Sequence, residues 1–392
     1  MGQVLDVSPA RRRAEQLAEA LGAARGRTLR LVSRRPARLA AFTLLAGLAG
    51  ACAPARETAQ PAADELRTRV PAAWRFPLSA PAAFGEHGMV ATDAALATRV
   101  GIEVLRAGGN AVDAAVATAF ALAVVLPDAG NIGGGGFIVL HTQDGTEAAL
   151  DFREAAPLAA HRDMYLDENG EVVPERSRTG HRAAGVPGAV AGLYEAHRRF
   201  GSRPWAELLV PAIRLADDGF PADSVFVAGI RADSQRLARF PASAALFLSR
   251  GRPPEPGSVW RNPDLAAALR RIAQHGPPGF YSGETAELIV AEMRRGGGLI
   301  THEDLARYRA RWREPVVYHY RGHRVLSMPP PSSGGLTAAL VANIVVGYDL
   351  HALGWHSPEA LHLIAEAMRR GFADRNQFLG DPDFAPIPPT FL

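Results

Sequence analysis

The sequence predicts an α+β fold, and three features carry the prediction. Helix start and stop signals recur along most of the chain, and two short β runs are joined by an Asp-Gly turn. The composition suits a protein with a substantial core: of 392 residues, 47% are hydrophobic and 21% charged.

The elements fall into three segments. Residues 1–52 read as a basic leader and signal peptide. In SRRPARLAAFTLLAGLAGAC (33–52), arginines precede the apolar run Leu39–Ala51, and small residues lead into Cys52. Such a run is short for a bilayer span, which needs about 20 residues, but it suits the apolar core of a signal peptide. The ending LAGAC resembles a bacterial lipobox, with Ala49 where leucine is usual, so Cys52 is the candidate lipidation site. The expectation is an exported protein of the bacterial periplasm or cell envelope, held to the membrane by a lipid anchor. Arg34-Arg35 also permits twin-arginine export. Residues 53–87 are rich in Ala and Pro and read as an extended linker. Residues 88–392 form the body.

Within the body, TDAALATRVGIEVLRAGGN (92–110) predicts a helix capped near Thr92 or Asp93 and stopped by Gly108-Gly109. Asn110 then caps a second helix in capping-box style with Asp113, and Pro127 halts it after Leu126. Beyond NIGGGGF, a β run at 137–142, a turn at Asp144-Gly145 and a return strand at 147–154 make a hairpin. Its alternation sets Leu150 and Phe152 on one face, Asp151 and Arg153 on the other. Further helices are predicted around 187–200, 204–217, 263–275, 284–295, 302–311 and 357–378. A strand at 323–328 and a helix at 336–346 flank MPPPSSGG (328–335). That segment reads either as a rigid connector or as a loop walling a site.

Composition excludes several chemistries. All 43 basic residues are arginine, so there is neither a Walker-A nor a Schiff-base lysine. Cys52 is the only cysteine, which rules out an intrachain disulfide, a cysteine zinc site and a cysteine nucleophile in the body. The net charge of +3 comes from the leader: residues 1–38 hold nine Arg against Asp6, Glu15 and Glu19, leaving 34 Arg against 37 acids elsewhere. A nucleic-acid partner is therefore not expected. The four glycines of NIGGGGF follow a helix and precede a strand, the reverse of a phosphate loop, so no nucleotide is expected there. His356, His362 and Glu366 have helical spacing, but solvated surface groups are the simpler reading, and no metal is predicted.

Arg153 is the one candidate binding residue. A guanidinium grips a carboxylate with two parallel hydrogen bonds, and glycines beside it allow close backbone approach. From the residues alone, a structural salt bridge remains an alternative.

Eight segments in order change the weight of that choice: GMVATDAALAT, AGGNAVDAAVA, NIGGGGFIVL, LDFREAAP, GVPGAVAGL, GGLITHEDLARY, MPPPSSGG and ADRNQFLGDPDF. From about Gly88 to Leu392 the chain resembles the large-subunit portion of a γ-glutamyltranspeptidase, or glutathione hydrolase. The resemblance implies an N-terminal-nucleophile hydrolase with an αββα sandwich and no cofactor. It implies γ-glutamyl transfer or hydrolysis on glutathione and other γ-glutamyl compounds, with amino acids or peptides as acceptors. By resemblance Arg153, in DFRE, binds the α-carboxylate of the γ-glutamyl group.

In that family a threonine opening a Thr-Thr-His-(Phe or Tyr)-Ser segment is exposed by self-cleavage and attacks the γ-glutamyl carbonyl. This sequence runs from GDPDF to PIPPTFL without such a segment, and Thr301-His302, its nearest echo, sits in a helix-capping context. The resemblance thus implies a truncated proenzyme: the large-subunit part only, with no catalytic residue of its own, inactive without the small subunit. Two other readings stay open. One is a related acylase of the cephalosporin or poly-γ-glutamate type; the other is a non-catalytic, carboxylate-binding lipoprotein remnant.

Overall fold

A computed structural model describes residues 83–354 and 356–388. The leader, Cys52 and the linker as far as residue 82 lie outside the described residues.

Helix α1 (Ala95–Arg106) starts differently from expectation. Its N-cap is Ala94, and the Thr92 hydroxyl bonds to the Ala94 main chain and to Thr98 rather than capping a helical N–H. Helix α2 (Ala111–Val125) begins on the predicted capping box: Asn110 accepts from Val112 and Asp113, and Asp113 accepts from the Asn110 N–H. Asp113, fully buried, also takes the N–H groups of Ser202 and Arg203 and the Ser202 hydroxyl, which satisfies a charge no water reaches. Apolar all round apart from Asp113 and Thr118, α2 is enclosed by α1, α3 (Ala189–Phe200) and α4 (Trp205–Asp217). Phe120, Ala121 and Val124 have no exposure, and Phe120 meets Trp205 edge-on at 5.5 Å.

The hairpin forms as its turn requires, with Gly145 at φ +83°. Strand β1 (Phe137–His141) pairs antiparallel with β2 (Glu147–Asp151), Phe137 opposite Asp151 and His141 opposite Glu147. The return strand is shorter than predicted. Phe152 still exchanges hydrogen bonds with Gly136, but the Asp151 carboxylate then accepts the Arg153 N–H and turns the chain out of the ladder. Nor does β2 alternate: Ala148, Ala149, Leu150 and Asp151 are all buried. It is a covered central strand, with α3 packed on it and Asp151 paired to Arg313.

A helical layer follows. Strands β3 (Phe220–Pro221) and β4 (Val259–Trp260) form a short ladder around α5 (Ser224–Leu237) and α6 (Pro241–Phe247). Helix α7 (Pro263–His275) packs on α4, and α8 (Pro278–Tyr281) joins it to α9 (Gly283–Gly296) and α10 (His302–Arg307). The helix predicted to run to 311 ends at Arg307. Tyr308 is buried in parallel stacking with Tyr281, its hydroxyl on the Arg153 carbonyl, and these contacts pull the backbone extended. The chain then adds β5 (Arg311–Arg313) to the sheet, in the order β1-β2-β5 with Leu150 opposite Trp312.

A second hairpin pairs β6 (Val316–Tyr320) with β7 (His323–Ser327), and α11 (Gly334–Val345) packs on both strands. After α12 (Leu350–Leu353), the long α13 (Pro358–Phe378) lies against α11. Glu147, the first residue of β2, pairs with Arg324 of β7, an ion pair that joins the two β layers. The fold is α+β, with helices behind each β layer. The layers are narrow among the described residues, three strands and two.

Candidate functional site

Arg153 lies two residues past β2, exposed, with no carboxylate at ion-pair distance from its guanidinium among the described residues. The guanidinium carbon stands 5.9 Å from the centre of the Phe137 ring. Asp151, two residues before it in sequence, is fully engaged. One oxygen accepts the Arg153 N–H at 3.1 Å, and the other takes Arg313 through Nε at 2.9 Å and a terminal nitrogen at 2.8 Å. The structural salt bridge to Asp151 is made by Arg313, not by Arg153.

Arg313 also reaches Asp383 at 2.9 Å, and Asp383 takes Arg311 at 2.7 Å, so the GDPDF segment is tied to β5. The bond from Arg313 holds the Asp383 carboxyl below its ordinary range, against a smaller opposing effect of burial. Burial acts to lower the Arg313 guanidinium, but the bonds to Asp383 and Asp151 raise it on balance.

The other end of the Arg153 residue is fixed as well: its carbonyl accepts the Tyr308 hydroxyl at 2.7 Å. Burial first, and then the neighbouring Tyr281, push the Tyr308 phenol upward, so it remains a proton donor.

The glycine run contributes shape. A Cβ at Gly135 would stand 2.5 Å from the Phe152 carbonyl oxygen and 2.8 Å from the Glu154 nitrogen, so only glycine lets these backbones touch. The Gly134 carbonyl accepts the N–H groups of Gly188 at 2.8 Å and Ala189 at 2.9 Å. The glycines therefore do meet a helix N-terminus, that of α3, but as acceptor. The amides a phosphate would use there are already taken.

Other sequence candidates lie elsewhere. Thr301 is committed to a capping box, donating to Asp304 at 2.6 Å, while His302 faces Glu287 at 3.2 Å. Glu366 pairs with Arg369 at 2.8 Å, and among the described residues no three His, Cys, Asp or Glu side chains gather as a metal site would need. In MPPPSSGG, Ser333 accepts from Arg375 at 3.1 Å, and Ser333 and Gly334 line an apolar groove of about 560 Å³. Val341, Val345, Met368 and Phe372 of α11 and α13 also line it, with Tyr318 of β6. A second hollow of about 440 Å³ lies between α3, Pro277 and Tyr308. Arg153 lines neither. Arg313, Asp383 and Tyr308 as partners of the Arg153 region were not readable as such, because their sequence separations carry no local signal.

The family model for gamma-glutamyltranspeptidase matches residues 97–391. The chain is 47% identical over 308 residues to a glutathione hydrolase proenzyme of Pseudomonas sp. (strain A14), covering 78% of this chain and 54% of that protein. It thus spans about half the length of that curated relative. The crystal structure of Helicobacter pylori γ-glutamyltranspeptidase superposes with a TM-score of 0.77 at 44% identity, covering 79% of this chain and 88% of the other. Cephalosporin acylase from Bacillus halodurans matches with a TM-score of 0.72 at 32% identity, over 82% and 60% of the two chains. A family model matching most of the body, together with the shared α+β fold, makes this chain a member of the γ-glutamyltranspeptidase family.

Proposed function

We propose that this chain forms the donor-binding half of an enzyme that transfers or hydrolyses γ-glutamyl groups, glutathione being the reference substrate. The observation that carries the reading is Arg153: an exposed guanidinium without an ionic partner among the described residues, on a main chain held at its N–H and its carbonyl. Such a group is preorganised for the α-carboxylate of a γ-glutamyl donor. The nucleophile in this reading is a threonine on a small-subunit half. Its hydroxyl adds to the γ-carbonyl while its own amine takes the proton. The γ-amide C–N bond then breaks, and the donor's amine leaves with that proton. The acyl group passes from the threonine oxygen to water or to an acceptor amine, which restores the hydroxyl. In this reading the chain does not turn over γ-glutamyl compounds without that half. The apolar groove between the second hairpin, α11 and α13 is the surface we assign to that partner half.

Titration calorimetry with glutathione tests the reading. The chain binds, and Arg153→Ala weakens binding about tenfold or more, since a charge-assisted hydrogen bond contributes ~1.5–3 kcal/mol. Binding that ignores Arg153→Ala overturns the assignment. Turnover of a γ-glutamyl anilide by the chain alone overturns its inactivity. The fold likeness to cephalosporin acylase supports a second reading, an acylase of that type or one acting on poly-γ-glutamate; binding of a cephalosporin side-chain acid in preference to glutathione would favour it. Arg153-dependent binding that no small-subunit half converts to turnover would leave the carboxylate-binding remnant. In all three readings the leader directs export and Cys52 carries the lipid anchor; a Cys52→Ala protein that stays in the membrane fraction contradicts this.

A further inference from the structure

The Arg153 peptide is gripped from a distance. Tyr308 lies 155 residues downstream, yet its hydroxyl donates to the Arg153 carbonyl at 2.7 Å. Three features show that this grip is built in. Tyr308 leaves the helical path directly after Arg307 and becomes the extended C-cap of α10. Its ring stacks on Tyr281, centroids 5.9 Å apart and planes within 3°, and is 9% exposed, so the phenol has a fixed direction. Gly188 clears the space: a Cβ there would overlap both the Phe152 carbonyl oxygen and the Tyr308 hydroxyl. The residues around Arg153 are themselves held, Phe152 N–H by Gly136 at 3.0 Å and Ala155 N–H by Val186 at 3.2 Å.

We infer that Tyr308 is a positioning residue for Arg153: its hydroxyl fixes the direction in which the Arg153 peptide presents the guanidinium to a substrate carboxylate. The inference rests on Arg153 being the carboxylate reader proposed above. Tyr308 itself touches no substrate. It acts by limiting the rotation of one peptide plane, so less ordering remains for the guanidinium to undergo when the ligand arrives.

The test uses the full chain and the variant Tyr308→Phe, which keeps the stacked ring and removes only the hydroxyl. Tyr281→Phe is the control. It deletes a hydroxyl from the other ring of the stack, one that donates to the Pro187 carbonyl and does not touch Arg153. The first readout is amide hydrogen exchange, which needs no ligand. Exchange at Phe152, Arg153 and Ala155 rises about tenfold in Tyr308→Phe and not in Tyr281→Phe. The second is glutathione affinity in a double-mutant cycle. Tyr308→Phe weakens binding about fivefold when Arg153 is present and has no effect in an Arg153→Ala background.

A merely structural tyrosine would lower affinity equally in both backgrounds, and that result overturns the proposal. So does unchanged exchange at 152–155, or an equal effect of the two tyrosine variants. If exchange rises as expected but glutathione binds regardless of Arg153, the failure lies with the carboxylate reading, and Tyr308 does not position a substrate-binding group.

Discussion

Helices α2 and α11 carry nearly the same message and meet different surroundings. Apart from Asp113 and Thr118 in one, and Thr337 and Asn343 in the other, both are built from apolar residues and glycine, with no stripe set aside for solvent. A helix of that kind is made to be surrounded. Helix α2 is, with α1, α3 and α4 closing over it. Helix α11 buries Leu336, Thr337, Ala339 and Val345, yet between it, its hairpin and α13 the open groove remains, lined by Thr337, Val341 and Val345. The groove side continues onto α13, where Met368 and Phe372 are 44% and 47% exposed. Local pattern thus tells how much cover a helix calls for, and only the fold tells how much this chain supplies.

The contrast can be broken most directly at Phe120. Phe120→Ala in the enclosed helix lowers unfolding free energy by about 3–5 kcal/mol, read from a denaturant midpoint at unchanged slope. A smaller loss, matching that of an exposed site, would mean that α2 is not the closed core described.

Asp113 sharpens the same end of the comparison with a smaller, pH-dependent effect. Burial opposes its charge, but the Ser202 hydroxyl and the N–H groups of Asn110, Ser202 and Arg203 together hold the carboxyl below its ordinary range. A depressed folded-state pKa stabilises the fold above the unfolded value, and that stability is lost as pH falls through the folded value. Wild-type melting temperature therefore drops more steeply with acid below the ordinary aspartate range than that of Asp113→Asn. Parallel curves would remove Asp113 from the account.

At the open end the expected effect is least. Phe372→Ser changes stability by no more than about 0.5 kcal/mol, because the ring is already half in water. It reduces self-association in concentrated solution, measured by light scattering. A loss as large as that at Phe120 would show the groove to be closed.

The legible parts of the molecule are those whose causes lie within a few residues. The Asn110–Asp113 capping box and the Asp144-Gly145 turn were readable because each is a local exchange of hydrogen bonds. Arg153 was readable as a candidate, but not that Asp151 is taken by Arg313, 162 residues away. The end of α10 was misread for the same reason: no local signal stops a helix at Arg307, and Tyr308 is drawn away by Tyr281 and Arg153. Strand β5, with three residues and two of them arginine, lacks an apolar alternation and gains its identity only by pairing with β2.

The Asp151–Arg313–Asp383 chain of contacts also sets a timetable. A ribosome delivers Asp151 and Arg153 early, but the arginine that occupies Asp151 follows 162 residues later, and the aspartate that braces that arginine another 70 after it. Until then Asp151 lacks the guanidinium that occupies it in the finished fold. The surroundings of Arg153 are therefore completed only after Arg313 and Asp383 have been made, long after its own strand.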